Sequence, residues 1–155
     1  MTLNRNTAFA LLTAFSVSMI LGAWAFEFIG GLAPCKLCYY QRYPHWLAAG
    51  AGALALATST LFLAYVAAVG AAASGLIGLY HAGVEQKWWE GPSTCTSGDV
   101  SNMSSDDLFN QIMAAPIVRC DDIPWQMFGL SMASYNAILS LAAAALWIYA
   151  IKRLT

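Results

Sequence analysis

Three stretches of this chain carry no charged residue and are long enough to cross a bilayer. Thr7 to Phe26 is twenty residues, Trp46 to Tyr80 thirty-five and Phe128 to Ile151 twenty-four. A crossing needs about 20 predominantly apolar residues, so the first and last stretches each predict one membrane helix. As a single helix the middle stretch would measure about 50 Å at 1.5 Å per residue, too long for one crossing. Split at Ala57-Thr58-Ser59-Thr60, it gives two shorter spans joined by a tight polar turn. The expected fold is an all-α membrane protein, a four-helix bundle in one domain over 1–155. Its spans fall at about 7–26, 44–60, 62–82 and 128–151. Arg5 ahead of the first run also fits a signal peptide. That run is longer than the 7–15 apolar residues of such signals, and it passes into Trp24-Ala25-Phe26-Glu27 without a small-x-small cleavage site.

Four crossings put both termini on one side, and basic residues say which. The tails, 1–6 and 152–155, hold Arg5, Lys152 and Arg153, three in ten residues. The two polar loops, about 27–43 and 84–127, hold Lys36, Arg42, Lys87 and Arg119, four in sixty-one, together with all eight acidic residues. The positive-inside rule therefore predicts cytoplasmic termini and outward loops. A net charge of −1 offers nothing to a nucleic acid.

All four cysteines, Cys35, Cys38, Cys95 and Cys120, fall in the outward loops or at their edges. Thiols on the oxidising side of a membrane normally end in disulfides. Of three possible connectivities, Cys35–Cys38 with Cys95–Cys120 is favoured, because the first pair is local and the second closes the long loop. Zinc through all four is disfavoured, since the second pair lacks Cys-x-x-Cys spacing. On a helix, Cys38 and Arg42 share a face, and the guanidinium would favour a thiolate. Pro44, however, fits best in the first turn of the second span, which would leave Arg42 just ahead of that helix.

Loop two has one helix signal. Ser104-Ser105-Asp106-Asp107 starts it, Leu108, Phe109, Ile112 and Met113 share a face, and Pro116 stops it. Such a stripe suits either the headgroup region or packing on the other helices. Gly91-Pro92-Ser93-Thr94-Cys95-Thr96-Ser97-Gly98 reads as flexible, exposed chain that leaves Cys95 open to another protein. Small residues over Ala48–Ala57 and Gly70–Gly78 predict close approach of the second and third helices.

Together these residues resemble a family. Pro34-Cys35-Lys36-Leu37-Cys38 with Arg42, two further cysteines in the second loop, and four spans are similar to DsbB, the bacterial inner-membrane proteins that make disulfides with quinone. Cys120-Asp121-Asp122-Ile123-Pro124-Trp125-Gln126-Met127-Phe128-Gly129-Leu130 resembles the family's approach to its last span, and Leu79-Tyr80-His81 the end of its third.

The resemblance implies that Cys35 and Cys38 pass electrons to ubiquinone or menaquinone. It implies that Cys95 and Cys120 oxidise a periplasmic, DsbA-like thioredoxin-fold partner. Arg42 would sit at the quinone headgroup and His81 near the same pocket, although a histidine at a span end is also a common interfacial residue. Gln41 stands where some members carry an acid and receives no role. No metal is expected. Three alternatives stay open: a vitamin-K-epoxide-reductase-like enzyme, a structural or receptor-like protein braced by two disulfides, and a metal-binding membrane protein.

Overall fold

The computed structural model describes residues 4–96, 104–114 and 118–153. Helix α1 (Arg5–Trp24) starts at Asn4, whose side chain accepts from the Thr7 amide, and runs into a π-helical turn at Ala25–Ile29. Helix α2 (Lys36–Thr58) and helix α3 (Leu61–Glu85) meet where the sequence turns polar. Ser59 closes α2 in the left-handed conformation, at φ 56°. The short α4 (Ser105–Ala114) follows, with the Ser104 hydroxyl accepting from the Asp107 amide as a cap. Phe109 and Met113 on α4 are exposed. The side chains of Leu108 and Ile112, and Pro116 itself, lie outside the described residues.

A two-residue hairpin then leads into the last helix. Strands β1 (Gln126–Met127) and β2 (Leu130–Ser131) pair antiparallel, with Met127 opposite Leu130. Phe128 and Gly129 at its tip both have positive φ, at 50° and 77°, the requirement of a type I′ turn. Helix α5 (Met132–Arg153) therefore begins four residues later than the apolar run predicted. The Ser131 hydroxyl accepts from the Ser134 amide at 3.2 Å and sets this start.

Among the described residues, three helical segments are long and apolar enough to cross a membrane: Arg5–Ile29, Leu61–Glu85 and Met132–Arg153. Helix α2 is of similar length, 23 residues, but its first turns carry Lys36, Gln41, Arg42 and His45. It also starts earlier than predicted. The Cys35 sulfur caps it by accepting from the Cys38 amide, and Pro44 lies inside the helix rather than at its first turn. The missing proline N–H leaves the Tyr40 carbonyl without its usual helical partner.

Helix α3 packs between α2 and α5 through its small residues, with Ala64, Ala67, Ala71, Ser74 and Gly75 buried. A Cβ on Gly70 would lie 2.8 Å from the Pro44 carbonyl oxygen, so α2 and α3 touch there nearly backbone to backbone. Gly75 and Gly78 instead admit α5: Cβ atoms there would fall 2.8 Å from Leu141 and 2.9 Å from Asn136. The small-residue stretch thus serves two interfaces, not one. Phe9 of α1 packs on the fully buried Trp147 of α5, with ring centroids 5.0 Å apart, towards the end remote from the cysteines.

Candidate thiol site at one end of the bundle

The beginning of α2 builds the first half of the site. Cys35 occupies the cap position and Cys38 the first turn, so their sulfurs face each other 2.7 Å apart as free thiols. Both sit at a helix N-terminus, where exposed amides favour negative charge. The Cys35 thiol has its pKa pushed well above the ordinary cysteine value, first by its hydrogen bond with Cys38 and then by burial. When the pair loses one proton, Cys35 keeps the other and the charge falls to Cys38.

Arg42 stands one helical turn beyond Cys38, on the helix rather than ahead of it. Its Nη1 is ion-paired with Glu27, which the π-helical turn delivers to α2. Its Nη2 donates to the Ala23 carbonyl at 3.4 Å, and the guanidinium lies 5.2 Å from the centre of the Tyr39 ring. The cation predicted beside the thiols is therefore present but partly neutralised.

The second half of the site comes from loop two. Cys95 and Cys120 form one of the two disulfides of the favoured connectivity; the other, Cys35–Cys38, is not formed. The expected exposure of Cys95 is overturned: Cys95 is 1% and Cys120 0% exposed. Gly91 and Pro92 do not extend this chain but fold it. The Cys95 amide donates to the Pro92 carbonyl at 2.9 Å, and the Thr96 hydroxyl bonds the Gly91 and Pro92 carbonyls. The Cys120 amide donates to the Cys95 carbonyl at 2.6 Å. Beyond it, Asp121 accepts from Arg119 and Lys87, which pin the segment from both sides. Those hydrogen bonds, Arg119 first, hold the Asp121 carboxyl well below the usual carboxylate range against the opposing effect of burial.

The two cysteine pairs meet in one apolar cluster. Cys35, Leu37, Val84, Cys95 and Cys120 are buried together, with Cys38 and Val118 packed against them. His81 joins the halves from α3. Its Nε2 is 3.1 Å from the Cys120 carbonyl oxygen and 3.6 Å from the Cys35 sulfur. His81 is 3% exposed, which removes the reading of an interfacial side chain. The donor atoms of Cys35, Cys38 and His81 all lie within 4.8 Å of one another, a grouping with the chemistry to hold a metal ion.

A cavity of about 490 Å³ opens against this cluster. Ala23, Phe26, Leu32, Trp125 and Leu139 form apolar walls, while Cys38, Gln41, Arg42 and His81 contribute the polar side. That volume and that mixture suit a small organic ligand.

Several participants were not found in the sequence. Glu27, Gln41, His45, Ser74 and Asn136 form the polar surroundings of the thiols, all but Glu27 buried in the bundle. Ser74 and Asn136 did carry a signal, since hydrogen-bonding side chains inside charge-free membrane stretches commonly face other helices or a functional cavity.

The family model described as "Disulfide bond formation protein DsbB" matches residues 5–150. "Disulfide bond formation protein B" of Shewanella sp. (strain ANA-3) is 28% identical over 134 residues, 83% of this chain and 76% of that protein. The protein of the same name from Actinobacillus pleuropneumoniae serotype 5b (strain L20) is 29% identical over 141 residues, 87% of this chain and 78% of its own length. "Uncharacterized protein RP370" of Rickettsia prowazekii (strain Madrid E) is 24% identical over 135 residues, 84% of this chain and 78% of that one. No solved structure gives a significant match.

Proposed function

The chain belongs to the DsbB family of membrane disulfide oxidoreductases, and from that premise we propose that it oxidises a periplasmic DsbA-like thioredoxin-fold protein and passes the electrons to quinone. The observation that carries this reading is the packing of both cysteine pairs in one cluster, with the first pair against an apolar cavity. The chain is one domain of the inner membrane, with α2 as its fourth crossing from about Pro44. Its termini are cytoplasmic and its cysteine segments periplasmic, in accord with the distribution of basic residues. Helix α4 rests at the headgroups, its exposed Phe109 and Met113 turned to lipid.

Electrons enter at the second pair. A partner thiolate attacks the Cys95 sulfur, the Cys95–Cys120 bond breaks, and Cys120 leaves as a thiolate. The partner's second thiolate then attacks its own sulfur in the mixed disulfide and releases Cys95. The partner has lost two electrons and Cys95 and Cys120 hold them. Because Cys95 is buried, docking has to lift the turn at Pro92–Thr96 first.

The electrons then cross the cluster. With Cys35 and Cys38 bonded, the Cys120 thiolate attacks Cys35 and expels Cys38, and Cys95 attacks Cys120 to restore its own disulfide and free Cys35.

The cavity fits a quinone in size and lining: apolar walls take the ring and tail, Arg42 offers a donor, and His81 lines the polar side beside Cys38. Quinone supplies, when bound, an acceptor for two electrons and two protons. The protein's part is to keep the charge on Cys38 next to that cavity and to place Arg42 where negative charge develops.

The test is single-turnover oxidation without quinone. A fully oxidised chain mixed with excess reduced partner is expected to oxidise two partner molecules, one per cysteine pair, and Cys38→Ser only one. Two in the variant as well would detach Cys35–Cys38 from the route.

A further inference from the structure

The position of the proton on His81 is determined from two sides. Asn136 Nδ2 lies 3.1 Å from the Ser74 carbonyl oxygen, which only accepts, so the amide nitrogen faces it. The same nitrogen is 2.8 Å from Gln41, which therefore presents Oε1 there. The Gln41 nitrogen then faces the Leu37 carbonyl at 3.1 Å and His81 Nδ1 at 2.8 Å. Both of its hydrogens are used, and Nδ1 accepts. At the far side of the ring, Nε2 meets the Cys120 carbonyl oxygen at 3.1 Å and needs a hydrogen to donate. Both ends give the same neutral tautomer, with the proton on Nε2.

That proton decides what the thiol pair can become. Two cysteines and one histidine are a ligand set that holds Zn²⁺ with a fourth position open, and Nε2 is the ring nitrogen nearest Cys35. A nitrogen that carries its hydrogen has no lone pair for a metal. We infer that Gln41 is a positioning residue that keeps the proton on His81 Nε2, where it is donated to the Cys120 carbonyl, and so keeps the reduced Cys35–Cys38 pair from becoming a zinc site. To move the proton to Nδ1, Gln41 would have to turn its amide over. That would break its bonds with both Asn136 and Leu37, in a place where Gln41 is 7% exposed and water cannot replace them. A carboxylate at this position has no such restriction. It accepts from Asn136 and from an Nδ1–H alike, and leaves Nε2 free to bind metal.

Zinc uptake is read without turnover, so this inference and the proposed oxidation can fail separately. The protein is the full chain carrying Cys95→Ser and Cys120→Ser, so that Cys35 and Cys38 are its thiols, reduced in detergent and titrated with Zn²⁺ against a chromophoric chelator. Adding Gln41→Glu is expected to tighten binding of one Zn²⁺ by about 10- to 100-fold, the range for an outer partner of a ligating histidine. His81→Phe is expected to remove the gain. Should Gln41→Glu fail to fold, Gln41→Met, which leaves no donor facing Nδ1, is expected to move the affinity in the same direction. Equal zinc affinity with and without the substitution, or a gain that survives His81→Phe, would overturn the role assigned to Gln41.

Discussion

The guanidinium of Arg42 is ion-paired with the carboxylate of Glu27, an acid fifteen residues earlier on a different helix. Arg42→Met is expected to raise the half-saturating quinone concentration by roughly ten- to a hundredfold, the effect of losing one charge-assisted hydrogen bond of ~1.5–3 kcal/mol. It also leaves Glu27 half-buried and unpaired, which costs stability. Adding Glu27→Gln should restore the melting temperature without restoring quinone affinity. If half-saturation by quinone stays unchanged in the folded single variant, Arg42 is only an anchor of α2.

The Asp121 cluster gives a pH-dependent stability. Its carboxyl is held below the ordinary range, so the folded chain keeps it ionised where the unfolded chain protonates it. The stabilisation is therefore full above about pH 4 and is lost as pH falls from there through the depressed folded value. Lys87 and Arg119 are well exposed, so screening limits the effect to about 1 kcal/mol. Asp121→Asn should lower stability by that amount at pH 7, and the gap to the unsubstituted chain should close on acidification. A gap that stays constant down to pH 2 would mean that packing, not charge, is responsible.

The helices were legible in the sequence, but not all of their ends. The break at Ser59 was legible because polar residues interrupt an apolar run too long for one crossing. The start of α2 was not, because a cysteine sulfur does the capping and no Ser, Thr, Asp or Asn marks the place. Pro44 then looked like a first-turn residue, although Gly70 lets α3 pack against its carbonyl inside the helix. The Cys95–Cys120 pairing followed from spacing, whereas Cys35 and Cys38, expected as the other disulfide, stand as free thiols. The burial of Cys95 did not follow, since it depends on Val84, Cys35 and Leu37 arriving from elsewhere in the fold. Gln41 stood out only by the resemblance and received no role there, because its bonds to His81 and Asn136 arise from helices distant in sequence.

A partner stripped of its resolving cysteine should be trapped on Cys95. Cys95 sits in a turn held mainly by its own neighbours, whereas Asp121, next to Cys120, is tied to both Lys87 and Arg119. Mass spectrometry of the complex identifies the linkage. Attachment at Cys120 or Cys35 would reverse the assigned order of attack.

A reporter fused after Thr155 should behave as cytoplasmic, given three basic residues in the ten of the tails against four in the sixty-one of the loops. Activity that depends on export would invert the chain and place its thiols on the reducing side.

Multiple-turnover oxidation of a reduced thioredoxin-fold dithiol by the purified chain, followed with and without added quinone, tests the central claim most directly. Without quinone, oxidation should stop at two partner molecules per chain, the capacity of the two cysteine pairs. With quinone it should continue, consuming one quinone for each partner disulfide formed, and Cys38→Ser should abolish the continuation. A folded, fully oxidised chain that stops at two with quinone present would contradict the account.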